Sequence, residues 1–313
     1  MNKKEWSRFV NSSLGDKIFI IMVYVVLTAV FLIVVLPLVY IVSASFSDPQ
    51  AVVSGKVFLF PVNPTLRGYA AVFKNTKIMN GFFNSILYTA VGVVVNLVMT
   101  MLCAYPLSRR EFAARNKLAM LFVFTMYFSG GLVPTYMVVQ KLGLIDSRLA
   151  MIIPSAMSTY NMIICRTYMV NSIPDEMYEA ASIDGCTPFK YLLRIVTPLC
   201  KPILAVLTLY YGVAKWNSYF DAMLYLKDQK LQPLTIIMRE ILIQNQIDYT
   251  MISDVSSVAA QRGLTDLLKY STIVVASLPV LLIYPFVQKH FVKGVMIGAV
   301  KGRACLKIHS LMG

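Results

Sequence analysis

The chain has 313 residues, of which 58% are hydrophobic and only 14% are charged. A soluble domain carries about 25% charged residues, so this composition excludes an ordinary soluble protein and indicates one that folds in a lipid bilayer. The formal net charge of +14 does not call for a nucleic-acid partner, because membrane proteins concentrate basic residues in their cytoplasmic loops.

Six apolar segments are each long enough to cross a bilayer, which takes about 20 residues. In chain order these segments are Ile18–Ser43, Phe82–Leu107, Leu118–Gln140, Leu149–Val170, Ile203–Tyr225 and Tyr270–Val287. Pro37 is expected to kink the first segment, and Gly130, Gly131 and Pro134 interrupt the third. Since lipid leaves backbone polar groups no water to bond, we predict an all-α membrane protein with six transmembrane helices.

An even number of spans places both termini on the same side of the membrane. When Arg166, near the end of the fourth segment, is counted with the loop that follows it, 17 lysines and arginines lie on the side of the termini and 11 on the other side. The positive-inside rule then makes the termini cytoplasmic. The predicted organisation is a cytoplasmic N-terminal segment (1–17), a six-span transmembrane domain (18–287) and a cytoplasmic C-terminal tail (288–313).

A polar segment between the fourth and fifth spans has strong helix signals. We predict a helix from Pro174 to Asp184, with Ser172 as its N-cap and Gly185 in the left-handed conformation that ends many helices. Pro188 should begin a second short helix. Pro198 should end it, because the residue before a proline resists helical conformation. The charge rule places this segment in the cytoplasm.

The same segment carries a recognisable pattern. Glu179-Ala180-Ala181 is followed by Gly185 and then by Ile195 and Pro198, and this spacing resembles the EAA loop of ABC-importer permeases. In that family the loop is the cytoplasmic coupling helix that docks on the ATPase subunit. The form found here is similar to that of carbohydrate permeases of the maltose type. The resemblance implies that the residues in contact with the ATPase are Glu179, Ala180, Ala181, Asp184, Gly185, Ile195 and Pro198.

The resemblance implies a permease subunit of a bacterial ABC importer for a sugar or oligosaccharide, which works by alternating access in the cell membrane. Its implied partners are a homologous second permease, two ATPase subunits and an extracellular solute-binding protein. This chain has no P-loop, so we expect it to be no enzyme and to bind no cofactor, with ATP and Mg²⁺ on the separate ATPase. With two histidines and no C-x-x-C pair, no metal site is expected.

Other functions remain open at this point. The solute could be phosphate, an amino acid or a peptide carried by the same type of machine. An ion-coupled secondary carrier would need buried carboxylates along its path, and Asp221 is the one candidate within a span. A membrane-embedded enzyme would need an acid, base or metal cluster, and the sequence offers none.

Two further groups are candidates for contact with solute or partner. The first lies in or at the end of the fifth span and could line the translocation path, or could simply pair and pack within the bundle: Lys215, Trp216, Asn217, Tyr219 and Asp221. Asn84, at the start of the second span, is expected to fix helix packing. The second group lies in the long polar loop Leu226–Leu268 and is expected to contact the binding protein: Ser256, Ser257 and Gln261.

Overall fold

The computed structural model describes residues 14–247, 263 and 265–283. All regular elements in these ranges are helices. They are α1 (Leu14–Ser45), α2 (Pro49–Val53), α3 (Arg67–Lys74), α4 (Thr76–Ser108), α5 (Arg115–Tyr127), α6 (Leu132–Lys141), α7 (Thr159–Ser172), α8 (Asp175–Ile183), α9 (Pro188–Tyr191), α10 (Thr197–Leu199), α11 (Lys201–Trp216), α12 (Tyr219–Tyr225), α13 (Leu234–Ile247) and α14 (Thr265–Ile283). A 3₁₀ turn covers Arg148–Met151, and a π-helical turn covers Leu192–Val196.

Three helices, α1, α4 and α14, are long and apolar enough to cross a membrane. Two bent pairs, α5 with α6 and the α9–α10 segment with α11, raise the number of candidate spans within the described ranges to five. The prediction of an all-helical membrane protein is therefore confirmed, whereas six separate straight spans are not what the described residues show.

The chain divides into two compact units. The first comprises Met1–Lys74 and Leu242–Val275. Within it, the hydroxyl groups of Tyr69 and Ser45 lie 2.8 Å apart, and the rings of Tyr40 and Tyr270 pack edge to face with centroids 5.7 Å apart. These contacts hold the C-terminal end of α1 against α3 and the first half of α14.

The second unit comprises Asn75–Ile241 and Ala276–Gly313. Its core forms where α4 packs on α7 and α11. Ala104 of α4, Cys165 of α7 and Leu207 of α11 have no exposed surface. The short helices α8 and α9 close one end of this core, into which they insert Ala181 and Tyr191.

The third predicted span is broken where the sequence indicated. α5 and α6 meet at an angle of 113°, and Gly131 between them has φ +83°. A left-handed backbone of this kind is open to glycine at little cost. The predicted interruption is confirmed, but the segment is not one straight crossing.

The fourth and fifth spans differ from the prediction. Leu149–Val170 is not one helix, because the segment around Pro154 is irregular and α7 begins only at Thr159. Ile203–Tyr225 is two helices, since α11 ends at Trp216. The Asn217 amide donates to the Val213 carbonyl at 2.9 Å, and the Ser218 hydroxyl donates to the Lys215 carbonyl at 2.7 Å. These side chains satisfy carbonyls of the last turn that an uninterrupted helix would use.

Pro198 does not end the second short helix, contrary to the prediction. The π-helical turn Leu192–Val196 ends two residues before it, and the Thr197 hydroxyl donates to the Leu192 carbonyl at 2.8 Å. In a regular α-helix the Pro198 ring would clash with the carbonyl four residues earlier, and the wider π turn relieves that clash. The chain instead bends by 81° at Cys200, just before Pro202.

The loop predicted over residues 226–268 contains a 14-residue helix, α13. Leu234 and Ile237 are buried at its start, and a Cβ on Gly81 of α4 would collide with the Ile237 side chain. This close approach holds α13 on the first turns of α4. The segment predicted as a long polar loop is therefore helical over this part.

Candidate functional site

Helix α8 has the ends that the sequence predicts, to within one residue. Pro174 is its N-cap, and Asp175 and Glu176 place negative charge in its first turn, where the helix dipole is positive. Ser172 is not the cap, because α7 continues through it. The α7 helix uses the backbone of Ser172, so the turn into α8 falls on Ile173 and Pro174.

The C-terminal end of α8 forms a Schellman motif. Gly185 has φ +70°, its N–H donates to the Ser182 carbonyl at 3.0 Å, and the Cys186 N–H donates to the Ala181 carbonyl at 2.9 Å. The predicted left-handed conformation of Gly185 is confirmed. The motif ends the helix sharply and turns the chain toward α9, where the Thr187 hydroxyl accepts from the Lys190 N–H.

The exposed face of α8 is defined by residues spaced three and four apart: Glu176, Glu179, Ala180 and Ile183. Ile183 is 87% exposed, which is unusual for a large apolar side chain beside two charged residues. Ala181 lies on the opposite face and is buried in the core of its own unit. The sequence led us to expect that Ala180 and Ala181 share one outward surface, but the buried position of Ala181 excludes this.

The remaining predicted coupling residues have different environments. Asp184 and Gly185 are exposed at the end of α8, and Pro198 is exposed on α10. Ile195 is half-buried against the core of the unit. Most of the predicted coupling residues on α8 are thus exposed, whereas Ile195 packs against the core of the unit.

Arg109, which sequence reasoning treated only as a cytoplasmic charge, fastens α8 to the end of α4. Its guanidinium carbon lies 4.2 Å from the centre of the Tyr178 ring and 5.7 Å from that of Tyr191. Its Nη2 donates to Glu111 Oε1 at 3.1 Å, and its Nη1 lies 3.9 Å from Asp175 Oδ1. A guanidinium between two aromatic rings and two carboxylates fixes the position of α8 with respect to α4.

The Lys215 ammonium is buried and donates hydrogen bonds to two neutral acceptors. Its Nζ donates to the Met151 carbonyl at 2.8 Å and to the Ser155 hydroxyl at 2.6 Å. A Cβ on Gly92 would lie 3.0 Å from Lys215 Cε, so α4 packs tightly on the lysine stem. Lys215 therefore ties the irregular segment after the 3₁₀ turn to α11 and α4.

The other candidate path residues have separate partners. Trp216 Nε1 donates to the Ala276 carbonyl at 3.2 Å, and the Trp216 ring packs edge to face on Phe82 with centroids 6.0 Å apart. The Tyr219 ring lies 5.1 Å from the guanidinium of Arg239. Asn217 is exposed, and Asp221 is half-buried in the first turn of α12. These contacts favour packing roles for Lys215 and Trp216.

Asn84 fixes the loop that leads into α13. Its amide donates to the Lys230 carbonyl at 2.8 Å and to the Gln232 carbonyl at 3.1 Å. The Tyr88 hydroxyl, one turn later, donates to the Leu231 carbonyl at 2.7 Å. Asn84 therefore anchors this loop on α4, and its predicted role in helix packing stays a prediction.

Comparison with known proteins decides the family. No protein-family model matches the chain. The polygalacturonan/rhamnogalacturonan transport system permease protein YtcP of Bacillus subtilis is 40% identical over 287 residues, which cover 92% of this chain and 99% of that protein. This chain belongs to the permeases of carbohydrate ABC importers.

Solved structures agree with this assignment. The permease resembles a chain in the crystal structure of a bacterial ABC transporter that imports the acidic polysaccharide alginate, with 32% identity, a TM-score of 0.81, and coverage of 90% of this chain and 99% of that one. A chain from the same type of transporter, in complex with an alginate pentasaccharide-bound periplasmic protein, has a TM-score of 0.55 and 15% identity over 86% of this chain and 93% of that one. The second likeness shows the fold alone.

The permease is thus a multi-pass inner-membrane subunit of an ABC sugar importer, as the resemblance in its sequence implied. Sequence reasoning missed Arg109 because nothing in the local pattern links it to Tyr178 and Tyr191, which follow much later in the chain. The predicted binding-protein contacts of the permease, Ser256, Ser257 and Gln261, lie outside the described residues.

Proposed function

We propose that this permease supplies one half of the path through which an ABC importer takes up an acidic oligosaccharide. The support for an acidic solute is that YtcP, at 40% identity, is named for polygalacturonan and rhamnogalacturonan, and that the structural relative at 32% identity imports alginate. The names of both relatives specify uronate-containing polymers. A homologous second permease completes the path, and the two alternate between inward and outward access.

Helix α8 is the coupling helix in this proposal, and one observation carries it. The face formed by Glu176, Glu179, Ala180 and Ile183 is exposed, while the opposite face is fastened to the core by Ala181 and Tyr178. A rigid helix with a small residue and an apolar tip between acidic residues suits docking into a cleft of an ATPase. The two ATPase subunits bind ATP and Mg²⁺, and their closure moves α8 together with α4.

The proposed topology has six spans with both termini in the cytoplasm. Helix α7 would be part of the fourth crossing, although its 14 residues make it about 21 Å long, against about 30 Å of hydrocarbon. The segment between Arg148 and Ser158, in which Ala150, Met151 and Ile152 are buried, completes that crossing in this proposal. The proposed boundaries remain 1–17, 18–287 and 288–313 for the N-terminal segment, the transmembrane domain and the C-terminal tail.

The segment between α13 and α14 is proposed to contact the extracellular solute-binding protein through Ser256, Ser257 and Gln261. The position of this segment in the chain supports the proposal, as does the existence of a relative solved with its periplasmic protein. Replacing residues 256–261 by a Gly/Ser stretch should weaken stimulation of ATP hydrolysis by loaded binding protein and spare assembly with the ATPase. Unchanged stimulation would assign the docking surface to another segment.

Coupling is tested with two substitutions on α8 in the purified complex. Ile183→Asp changes the exposed tip without touching the core, and it should abolish ATPase docking while membrane insertion stays normal. Leu14→Asp, at a residue that is also largely exposed but lies at the start of α1, is the control. Normal substrate-stimulated ATP hydrolysis by the Ile183→Asp complex would contradict the docking role.

The transported solute is tested separately from the coupling. Uptake into vesicles should require ATP on the side of the membrane that carries the ATPase subunits. It should not follow an imposed ion gradient, and this distinguishes the importer from a secondary carrier. A ligand screen of the cognate binding protein should select oligogalacturonides or other uronate oligomers over neutral oligosaccharides of equal length. Preference for a neutral sugar would overturn the acidic solute and leave the importer assignment intact.

A further inference from the structure

A cavity of about 240 Å³ lies at one end of the second unit, between the end of α4, the start of α5, the middle of α7 and the start of α8. Four arginines line it: Arg109, Arg110, Arg115 and Arg166. Asp175 is the one carboxylate among its lining residues. The cavity therefore concentrates positive charge in a concave, partly enclosed space.

The carboxylates nearby neutralise only two of these arginines. Arg110 Nε lies 2.7 Å from Asp175 Oδ2, and Arg109 bonds to Glu111. Among the residues that the structure describes, neither Arg115 nor Arg166 forms an ion pair. These two guanidinium groups thus have no carboxylate in direct contact, and the charge of Arg115 is balanced only in part, by Glu111 at longer range.

Neutral groups hold Arg166 ready for a ligand. Its Nε donates to the Leu107 carbonyl at 2.8 Å, at the last turn of α4, and its Nη2 donates to Asn116 Oδ1 at 3.1 Å. These bonds orient the guanidinium but leave its charge unbalanced and its other N–H groups available. Arg109, which is only 8% exposed, has a buried Nε with no hydrogen-bond partner. A site that leaves donors unused and charge unbalanced is suited to an oxyanion.

The position of the cavity along α4 points to the source of that anion. The 33 residues of α4 extend over about 50 Å, which exceeds the hydrocarbon thickness of about 30 Å. Tyr105 and Ser108, in the last turn of α4, line the cavity. The end of a span that is longer than the hydrocarbon core lies at the depth of the lipid headgroups.

We propose that this cavity binds a phosphate group, supplied by the headgroup of an anionic membrane lipid. Guanidinium groups form two parallel hydrogen bonds with phosphate oxygens, and the fork of Arg115 is free to do so. Basic pockets between transmembrane helices are the known setting for such headgroups. Since α8 forms one wall through Asp175, a bound headgroup would also steady α8.

The test uses the complete transporter complex, delipidated in detergent. Phosphatidylglycerol is titrated into it, and bound lipid is counted by native mass spectrometry; thermal unfolding is followed in parallel. The wild-type complex should retain phosphatidylglycerol in preference to phosphatidylcholine and unfold at a higher temperature with it. Arg115→Gln should weaken phosphatidylglycerol binding about tenfold, the loss expected for one charged hydrogen-bonding group. The affinity of the Arg115→Lys complex for phosphatidylglycerol should lie between those of the wild type and Arg115→Gln.

Lys117→Gln is the matched control, because it removes the same charge from the same helix at a residue that does not line the cavity. It should leave binding unchanged. Inorganic phosphate added to complexes in pure phosphatidylcholine distinguishes the source: stabilisation by phosphate alone, lost in Arg115→Gln, would keep the phosphate site and overturn the lipid. Equal phosphatidylglycerol binding by wild type, Arg115→Gln and Lys117→Gln, or no binding of either ligand, would overturn the site itself.

Discussion

The guanidinium of Arg109 lies against the ring of Tyr178, with its central carbon 4.2 Å from the ring centre. Arg109 is the first residue after α4, and Tyr178 lies in the middle of α8, so this contact joins the longest helix of the second unit to the proposed coupling helix. Movement of α8 by a partner would be transmitted to α4 through it.

Arg109→Lys is expected to uncouple α8 from α4 while keeping the charge. Lysine lacks the planar fork that stacks on Tyr178 and reaches both carboxylates. A desolvated cation–π contact is worth about 2 kcal/mol, so substrate-stimulated ATP hydrolysis should fall by roughly tenfold or more. The measurement is the substrate-stimulated ATPase activity of the purified complex, and Lys117→Arg, near the start of α5, is the control. Full stimulation in the Arg109→Lys complex would show that the contact does not transmit motion.

Gly185→Val should impair coupling through backbone conformation alone. No atom lies within 4 Å of the position that a Cβ would take on Gly185, so the substitution causes no clash. Its φ of +70° disfavours a β-branched residue by about 1–3 kcal/mol, which is enough to loosen the Schellman motif. Gly185→Asn, which tolerates φ > 0, should retain most activity. Equal loss in the Asn and Val variants, measured as stimulated ATP hydrolysis, would contradict this explanation.

Lys215→Met should reduce stability more than it alters solute recognition. Methionine can fill the space of the stem beside Gly92, but the Met151 carbonyl and the Ser155 hydroxyl lose their donor. Leaving buried polar groups unsatisfied costs about 1–3 kcal/mol, which would lower the unfolding temperature of the complex. Adding Ser155→Ala should cost less in the Lys215→Met background than alone, because both changes remove the same bond. A large rise in the KM for uptake, without a change in stability, would instead place Lys215 on the solute path.

Asp146 predicts a pH-dependent contribution to stability. Its Oδ1 accepts from the backbone N–H groups of Asp228 at 2.8 Å and Lys227 at 2.9 Å, and these bonds lower the pKa of the carboxyl below its ordinary value. A lowered pKa in the folded state means that the stabilisation is present at neutral pH and is lost as the pH falls through the folded-state pKa.

Asp146→Asn is the variant that isolates this charge, because asparagine also tolerates the φ of +58° at this position. Its unfolding temperature should lie below that of the wild type at pH 7, and the gap should close in acid. Asp228→Asn is the control, because Asp228 bonds to Asp146 through its backbone N–H and the substitution changes only its side chain. A gap that stays constant from neutral to acid pH would show that the charge contributes nothing.

The sequence by itself determined the features that depend on neighbouring residues. The ends of α8, the left-handed Gly185 and the break between α5 and α6 follow from backbone sterics that a few residues specify. The membrane class and the permease family follow from composition and from the spacing of Glu179, Gly185 and Pro198. The local rules were wrong at Ser172. Its position suited either the N-cap of α8 or the last turn of α7, and in the structure it belongs to α7, the longer helix.

Only the tertiary structure decided what depends on distant partners. The α9–α10 segment continues through Pro198 because a π turn widens it, and the segment after Met151 leaves helical conformation where Lys215 of α11 bonds to its Ser155 side chain. Ala181 faces inward because Tyr191 and the core of α4 and α7 lie on that side of α8. Arg109 finds Tyr178 and Tyr191 through packing between segments far apart in sequence, and no local periodicity encodes such a contact.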